Sequence, residues 1–212
     1  SYTVNDLLGA IGILLGQRVR YINTDTAAFV LGFMDGANFD GTETLRSVLD
    51  SAAEVTQTIY YADNMGIVFK GLSSDVVTTV DKNLYFELET KQPYTLANIT
   101  HATELGDNIA AISGLEGETQ YIRNNPFLEL RTDTAEVLQD GVTRAAGLTN
   151  TPFSCKWRGN YLVELGDKIA IAAKDDSLVD AYVFNDTITY NGGFTQKTEW
   201  EYKSGEAENL AN

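Results

Sequence analysis

The stretch DTITYNGGFTQKTEWEYK, from Asp186 to Lys203, constrains the fold of this chain more than any other. Polar and apolar residues alternate on both sides of Asn191-Gly192-Gly193, and alternation with period two is typical of a half-buried strand. Asparagine and glycine accept the positive φ angles of a tight hairpin turn. The pattern predicts a β-hairpin with one apolar, aromatic face and one charged face. The apolar positions are Ile188, Tyr190, Phe194, Thr198, Trp200 and Tyr202, and the charged positions are Lys197, Glu199 and Glu201.

The aromatic face of such a hairpin must be covered by other parts of the chain. Both tryptophans lie at apolar positions of predicted strands, so we expect Trp157 and Trp200 to be largely buried. Cys155 lies between Phe153 and Trp157, which favours a buried, inert thiol over a nucleophile. Because Cys155 is the only cysteine, it cannot form an internal disulfide.

Residues 1–80 are predicted to form a small α/β domain. A first helix is capped by Thr3 or Asn5 and ends at Gly16. A short strand follows at 18–23, and a second helix begins at Thr42 or Thr44. The stretch TIYYADNMGIVFKGL then predicts a second hairpin, which turns at 63–66.

Residues 84–203 have the pattern of a β-rich domain. Short alternating stretches are separated by turn residues, and one helix is predicted near 132–147, between two groups of strands. Strands at this spacing favour a barrel or a strongly curled sheet. Residues 204–212 lack periodicity and are predicted to be a disordered tail. The predicted fold class is α+β, with a small α/β insert domain packed beside a β-barrel-like domain.

The charge of the chain restricts its partners. Its 212 residues include 30 acidic and 15 basic ones, for a net charge of −15. A surface this acidic repels nucleic acid and anionic membranes, so we expect no nucleic-acid binding. The apolar opening YTVNDLLGAIGILLG is too short to span a bilayer, and it fits a secretory signal poorly. The absence of an initiating methionine suggests a piece of something longer.

The sequence offers few residues for catalysis. His101 is the only histidine. As a general base it lacks an identifiable nucleophile to activate, and as a zinc ligand it lacks a Cys or His partner nearby. The pair Asp175-Asp176 could supply half of a glycosidase carboxylate pair, but a solvated turn is favoured. The 63–66 turn lacks the oxygen ligands of a calcium loop. Eleven tyrosines could form a sugar-binding platform, although strand parity favours packing. We predict no catalytic, metal-binding or cofactor-binding residue, no cofactor and no enzyme activity.

Three turn motifs precede the closing hairpin in a fixed order. Asn124-Asn125-Pro126 comes before the predicted helix, and Pro126 restricts Asn125 to extended backbone. Arg158-Gly159-Asn160 follows a strand that carries tryptophan. Gly166-Asp167 then forms a turn before another strand. Each motif alone is a common turn between strands of a β protein. Only the order of the motifs along the chain can therefore indicate a particular fold.

In this order the motifs resemble those of the tail-hub proteins of long-tailed bacteriophages and related contractile injection machines. These are also called baseplate hub proteins or tail-associated lysin N-terminal regions. The resemblance is strongest at 121–202 and departs from the family pattern at Tyr161, where proline is usual. Its elements are NNPFL at 124–128, FSCKWRGNYLVELGDKIAI at 153–171 and TITYNGGFTQKTEWE at 187–201. The stretches YTVNDLLGAIGILLG and TLRSVLDSAAEVTQTIYYADNMGIVF also look like the helix-and-hairpin insert of that family.

The resemblance implies two tandem β-barrels with α/β insertions and three copies forming a ring at the tail tip. Such a ring joins the tail tube to a fibre or lysin device and binds distal tail, tube or fibre proteins. It implies a location in the virion, after assembly in the host cytoplasm. On this resemblance, we expect the chain to hold one insert and one barrel, without a counterpart of the family's first barrel. The charged hairpin face, with Lys197, Glu199 and Glu201, would then face the lumen or a neighbour.

Two other classes of function stay open from sequence. One is a cell-wall or polysaccharide hydrolase that uses carboxylates such as Asp175, and the other is a glycan-binding module that uses surface tyrosines. A hydrolase loses turnover when a carboxylate is replaced, and a lectin binds glycan saturably. A hub does neither and assembles with itself or with tail proteins.

Overall fold

A computed structural model describes residues 2–24, 30–31, 41–102, 108–129, 131–145 and 148–199 of the chain. The described part is mixed α+β and mostly sheet, in agreement with the predicted class. The helices are α1 (Val4–Leu15), α2 (Leu45–Thr56) and α3 (Thr134–Ala145). The strands are β1 (Tyr2–Thr3), β2 (Arg18–Ile22), β3 (Val30–Leu31), β4 (Ile59–Asp63), β5 (Gly66–Lys70), β6 (Val76–Val80), β7 (Tyr85–Thr90), β8 (Tyr94–Ala102), β9 (Asn108–Ile112), β10 (Glu118–Arg123), β11 (Thr149–Asn150), β12 (Phe153–Trp157), β13 (Lys168–Ala172), β14 (Leu178–Tyr182), β15 (Asn185–Tyr190) and β16 (Phe194–Glu199).

The ends of the first two helices follow from local sequence. Thr3 Oγ1 accepts a hydrogen bond from the Asp6 amide, and the Asp6 carboxylate accepts one from the Thr3 amide, which is a capping box. Gly16 ends α1 in the left-handed region, at φ +63°. Thr44 caps α2 by accepting a hydrogen bond from the Ser47 amide. Of the alternative caps left open by the sequence, the chain therefore uses Thr3 and Thr44.

The chain divides into two compact units. Unit 1 consists of residues 1–71 and 95–148, and unit 2 of residues 72–94 and 149–212. This division differs from the predicted boundary near residue 80, because α3 and most of the strands around it belong with the first two helices. The cause is long-range packing, since Ile99, Ile122 and Val142 lie in one hydrophobic core with Leu8 and Leu49. The local pattern of each element does not reveal which elements share a core.

Unit 1 contains two main sheets around that core. In one, β5 lies between β2, which is parallel to it, and β4, which is antiparallel to it. In the other, β8 pairs with β10 in parallel and with β9 in antiparallel orientation. Gly141, a residue expected to weaken α3, allows close packing: a Cβ there would lie 3.4 Å from both Ile99 Cδ1 and Gln57 Cγ.

Unit 2 contains a four-stranded antiparallel sheet in the order β15-β16-β12-β7 and a three-stranded sheet in the order β14-β13-β6. Both sheets contribute to one core, which includes Val80, Cys155, Trp157, Ile169 and Ala181. Neither sheet closes on itself within the described parts of unit 2. The structure thus corrects the expected barrel: two separate sheets cover the core, and no closed barrel forms among these residues.

The predicted closing hairpin is present with the two faces that the alternation predicts, but the face expected to be covered is exposed at the tip of the hairpin. Strands β15 and β16 pair through 191–193, where Gly192 has φ +70°. Ile188 and Tyr190 are 53% and 80% exposed, whereas the polar Gln196 and Thr198 are completely buried. Trp200, Glu201 and Tyr202 lie outside the described residues, so the expected burial of Trp200 stays a prediction. Trp157 is buried, as predicted.

Candidate assembly surface

The Arg158-Gly159-Asn160 turn packs directly against the closing hairpin. A Cβ atom on Gly159 would lie 2.1 Å from Phe194 Cε1 and 2.8 Å from Gln196 Cβ, and the backbone has φ +82°. The Asn160 amide donates a hydrogen bond to Gln196 Oε1 at 2.7 Å. Glycine is therefore required twice, for its backbone conformation and for this close approach. The hairpin covers this turn, which explains why Gln196 is buried at a position of apolar parity.

Gln196 joins the turn to β15. Its Nε2 donates to both carboxylate oxygens of Asp186, at 2.9 and 3.0 Å, while its Oε1 accepts from Asn160. Burial raises the pKa of Asp186, and the hydrogen bonds from Gln196 oppose that shift. Sequence reasoning missed Gln196, although a glutamine between Phe194 and Thr198 on the inward parity was a visible signal. Buried polar groups of this kind fix one register, because any other leaves them without partners.

Gly166-Asp167 holds three segments of unit 2 together. The Asp167 carboxylate accepts hydrogen bonds from the Glu164 amide at 2.9 Å and from Ser73 Oγ at 3.3 Å. The Gly166 amide donates to the Val183 carbonyl at 2.7 Å, and the Ser73 amide donates to the Gly166 carbonyl at 3.0 Å. Hydrogen bonds of this turn thus connect the segments around residues 73, 166 and 183.

Asn125 has the same kind of role in unit 1. Its side chain, 1% exposed, donates to the Ser51 carbonyl at 3.0 Å and to Glu54 Oε2 at 2.9 Å, both on α2. Its Oδ1 accepts from the Phe127 amide at 3.1 Å. Burial raises the pKa of Glu54, and the hydrogen bond from Asn125 lowers it in part. Asn125, in one of the motifs behind the family resemblance, therefore anchors α2.

We expect Asn125→Ala to lower the free energy of unfolding of unit 1 by about 1–3 kcal/mol, because buried polar groups lose their partner. The loss should be larger at pH 7 than below the ordinary glutamate pKa of 4.5, since ionised Glu54 loses a donor and protonated Glu54 loses less. Urea denaturation at both pH values measures this. Asn98→Ala, which removes a single hydrogen bond to Thr119 in the same unit, is the control. Equal losses in the two variants would contradict the anchoring role.

The four-stranded sheet of unit 2 has a charged outer face, defined by Glu87, Glu89, Lys156, Lys197 and Glu199. Lys156 lies opposite Glu87 on one side and Lys197 on the other, and its Nζ is 3.7 Å from Glu87 Oε1. Lys197 Nζ is 2.5 Å from Glu199 Oε1, and this hydrogen bond raises the pKa of Lys197 and lowers that of Glu199. Exposed ion pairs of this kind add little stability to a fold.

The opposite, inner face of the sheet carries Trp157 and Gln196, and none of the described residues covers it at its hairpin end. Tyr190 and Ile188 are exposed beside Phe194, which is 37% exposed. The loop that follows Asn160 exposes Tyr161 and Leu162, at 79% and 63%. At about 200 Å² per aromatic side chain, Tyr190 and Phe194, which lie opposite each other in the hairpin, expose about 230 Å² together. Neighbouring exposed apolar side chains of this kind are candidates for an interaction surface.

The residues considered for catalysis lie apart in ordinary structural settings. His101 is buried in unit 1, with Nδ1 3.3 Å from the Ile122 carbonyl oxygen and Nε2 3.7 Å from Glu129 Oε1. Asp175 is in an exposed turn of unit 2, where hydrogen bonds from Ser177 lower its pKa. Asp176 has φ +66° and pairs with Lys82. In the described part of the chain no cluster of three potential metal ligands occurs, and no helix is long and apolar enough to cross a membrane.

Cys155 is completely buried in the core of unit 2, where burial raises the pKa of its thiol to about 12. We therefore expect native protein to resist alkylation at pH 8, because almost no thiolate is present or accessible. Iodoacetamide labelling followed by mass spectrometry measures this, with urea-unfolded protein as the reactive control. Rapid labelling of folded protein would contradict the packing described for β12.

Comparison with solved structures identifies the fold. The chain is similar to a tail protein from Neisseria meningitidis (10% identity, TM-score 0.59), covering 93% of this chain and 66% of that one. It is also similar to a prophage MuSo2 tail protein from Shewanella oneidensis (12%, 0.53; 92% and 62%) and to prophage tail protein gp18 from Listeria monocytogenes (15%, 0.52; 96% and 66%).

These similarities show that the chain has the fold of phage and prophage tail proteins, which confirms the resemblance seen in the sequence. The chain spans slightly less than two thirds of the length of these proteins. No protein-family profile and no curated protein matches the sequence.

Proposed function

We propose that this chain is a structural component of a phage or prophage tail tip, of the baseplate hub type. The observation that carries the proposal is the fold it shares over more than nine tenths of its length with three tail proteins. The motifs behind the sequence resemblance support it, because Asn125, Gly159 and Asp167 all lie where separate segments pack or bond together.

In the proposed role, three copies of the longer chain form a ring that joins the tail tube to a fibre or lysin device. The ring contacts distal tail, tube or fibre proteins and is located in the virion, after assembly in the host cytoplasm. The net charge of −15 suits a channel through which DNA slides without adhering. The charged outer face, with Lys197 and Glu199, is a candidate for the lumen or for contact with a neighbour.

Two assays test the proposal together. A tagged form of the chain should retain other tail proteins of the same phage in a pull-down. In light scattering, the chain alone should be monomeric or weakly associated at micromolar concentration. It spans only part of the length of the similar tail proteins, so part of the contact between ring subunits would be missing. A contact that buries less than about 1,000 Å² rarely persists in dilute solution. The longer protein should be a stable trimer. A longer protein that stays monomeric and retains no tail protein would remove the support for the hub.

The proposal also holds that no residue of the chain is catalytic. Purified protein incubated with bacterial cell walls or common glycosides should release no product. Reproducible turnover that disappears in Asp175→Asn would overturn this part of the proposal.

One observation favours a second candidate, a glycan-binding module. Tyr161 and Tyr190 expose most of their rings in unit 2, and exposed aromatic rings can stack on sugars. Titration of cell-wall glycans, followed by tyrosine and tryptophan fluorescence, tests it. Saturable binding that is lost in Tyr190→Ala would favour this candidate, and a featureless titration would remove it.

A further inference from the structure

Two edge strands bound the four-stranded sheet of unit 2 in the described part of the chain. Strand β15 is the last strand on one side and β7 the last on the other, and no strand in the described residues pairs with either outer edge. Each strand is six residues long. Natural edge strands are normally protected by lysine, proline, a bulge or a covering segment. β15, with the sequence NDTITY, has no lysine or proline, and its pairing with β16 is regular throughout.

The hydrogen-bond pattern shows which backbone groups point outward. The Asn191 amide donates to the Gly193 carbonyl, and hydrogen-bonded pairs alternate with non-bonded pairs along an antiparallel ladder. The backbone groups of Thr189, Thr187 and Asn185 therefore bond to β16. Every second residue is bonded to β16 in such a ladder. The amide and carbonyl groups of Asp186, Ile188 and Tyr190 are therefore directed to the open edge.

The same reasoning applies to β7. The Lys91 amide donates to the Pro152 carbonyl, which places the inward bonds of β7 at Glu89 and Glu87. Leu88 and Thr90 consequently direct their backbone groups outward. The register of β7 shifts only opposite Lys156 and Trp157, so the stretch 87–90 is a regular edge.

The two edges are complementary in direction and in face. Neighbouring strands alternate in direction across all four strands, so β7 of one copy would run antiparallel to β15 of the next. On both edges, the residues whose backbone amide and carbonyl groups point outward, such as Ile188 and Leu88, have their side chains on the inner face of the sheet. Trp157 and Gln196 lie on the same face. Because the sheet has an even number of antiparallel strands, β7 of one copy can bond to β15 of the next as an ordinary antiparallel pair. The inner faces of the two copies then lie on the same side of the joined sheet.

The side chains of the outer face also favour this pairing over one alternative. On the outer face β7 presents Glu87 and Glu89, and β15 presents Thr187 and Thr189. Pairing of β7 with a second β7 would place glutamates against glutamates, which destabilises a sheet. Pairing of β7 with β15 places them against uncharged threonines.

We propose that β15 of one copy pairs with β7 of a second copy, so that the sheet continues across the boundary between subunits. This contact is head-to-tail, as a ring requires, and the added strand would cover part of the exposed apolar face at Ile188 and Tyr190. The inference rests on the proposed hub function, for which it names the contact between copies.

Disulfide trapping between two single-cysteine additions tests the contact. One tagged chain carries Thr187→Cys on β15 and an untagged chain carries Glu89→Cys on β7, while native Cys155 stays buried. After mixing at high protein concentration with a mild thiol oxidant, the covalent heterodimer is measured on a non-reducing gel. We expect its yield to exceed several-fold that of Thr187→Cys with Leu178→Cys, which like Glu89 is an exposed position, on β14. A yield no higher than this control, or a preference for dimers of Thr187→Cys with itself, would overturn the proposal.

Ile188→Pro provides the blocking variant. Proline removes an outward amide but no hydrogen bond to β16, so the hairpin should remain folded while cross-linking decreases several-fold. Ile188→Thr, which keeps the amide, should cross-link as the parent does. Circular dichroism of both variants confirms that they fold. Unchanged cross-linking in folded Ile188→Pro would contradict strand pairing.

The two proposals fail separately in these experiments. If the edge contact is wrong but the hub function is right, cross-linking fails while the pull-down still retains tail proteins. If the hub function is wrong, the pull-down fails whatever the cross-linking shows.

Discussion

Gly159→Ala is expected to lower the free energy of unfolding of unit 2 by about 2–5 kcal/mol, from left-handed backbone strain and overpacking together. The added Cβ would lie 2.1 Å from a ring carbon of Phe194 and 2.8 Å from Gln196 Oε1. Either the hairpin shifts or the turn does, and a shift breaks the hydrogen bond between the Asn160 amide and Gln196. Chemical denaturation followed by circular dichroism measures the loss.

Gly192→Ala is the matched control for Gly159. Gly192 has φ +70°, so alanine there is under similar backbone strain, but no atom lies within 4 Å of the added Cβ. We expect this variant to lose only about 1–2 kcal/mol. If both variants lost the same amount, the packing of the turn against the hairpin would contribute nothing, and the account of Gly159 would be wrong.

Trp157→Ala is expected to cost about 3–5 kcal/mol, as for truncation of other core aromatic residues. Trp157 is 2% exposed and lies between Tyr85 and Gln196 in the four-stranded sheet. Removal of the ring leaves a cavity in the core that both sheets of unit 2 share. The change in denaturation midpoint, again from circular dichroism, gives the cost.

Trp157→Phe separates the cavity from the indole nitrogen. In the described part of the chain, Trp157 Nε1 is buried without a hydrogen-bond partner, so phenylalanine removes an unsatisfied donor as well as volume. We expect a cost well below that of alanine. A phenylalanine variant as unstable as the alanine variant would indicate that Nε1 has a partner and that the site is more specific than packing requires.

The elements of this fold were predictable where a few neighbouring residues decide them. Thr3, Gly16 and Thr44 end helices by contacts within one turn, and Asn191-Gly192-Gly193 forms its hairpin by local backbone preference. The order of the turn motifs also predicted the tail-protein fold, through its resemblance to tail-hub proteins. In the structure these turns lie where distant segments meet.

The pairing of elements was not predictable in the same way. Strand β10 pairs in parallel with β8, and this contact between residues about twenty positions apart leaves no periodic signal in either strand. It places the middle of the chain in unit 1, against the predicted boundary. The burial of Gln196 and the exposure of Tyr190 were missed because parity indicates which residues share a face and not what covers that face.

The location of the protein tests the central claim most directly. Phage particles from a culture that produces this protein can be purified and labelled with gold-conjugated antibody against the chain, then imaged by electron microscopy. The proposed hub role predicts label at the tail tip of intact particles, and no label in preparations made without the antibody. Particles that lack the chain, with the protein left free in the lysate, would contradict the assignment.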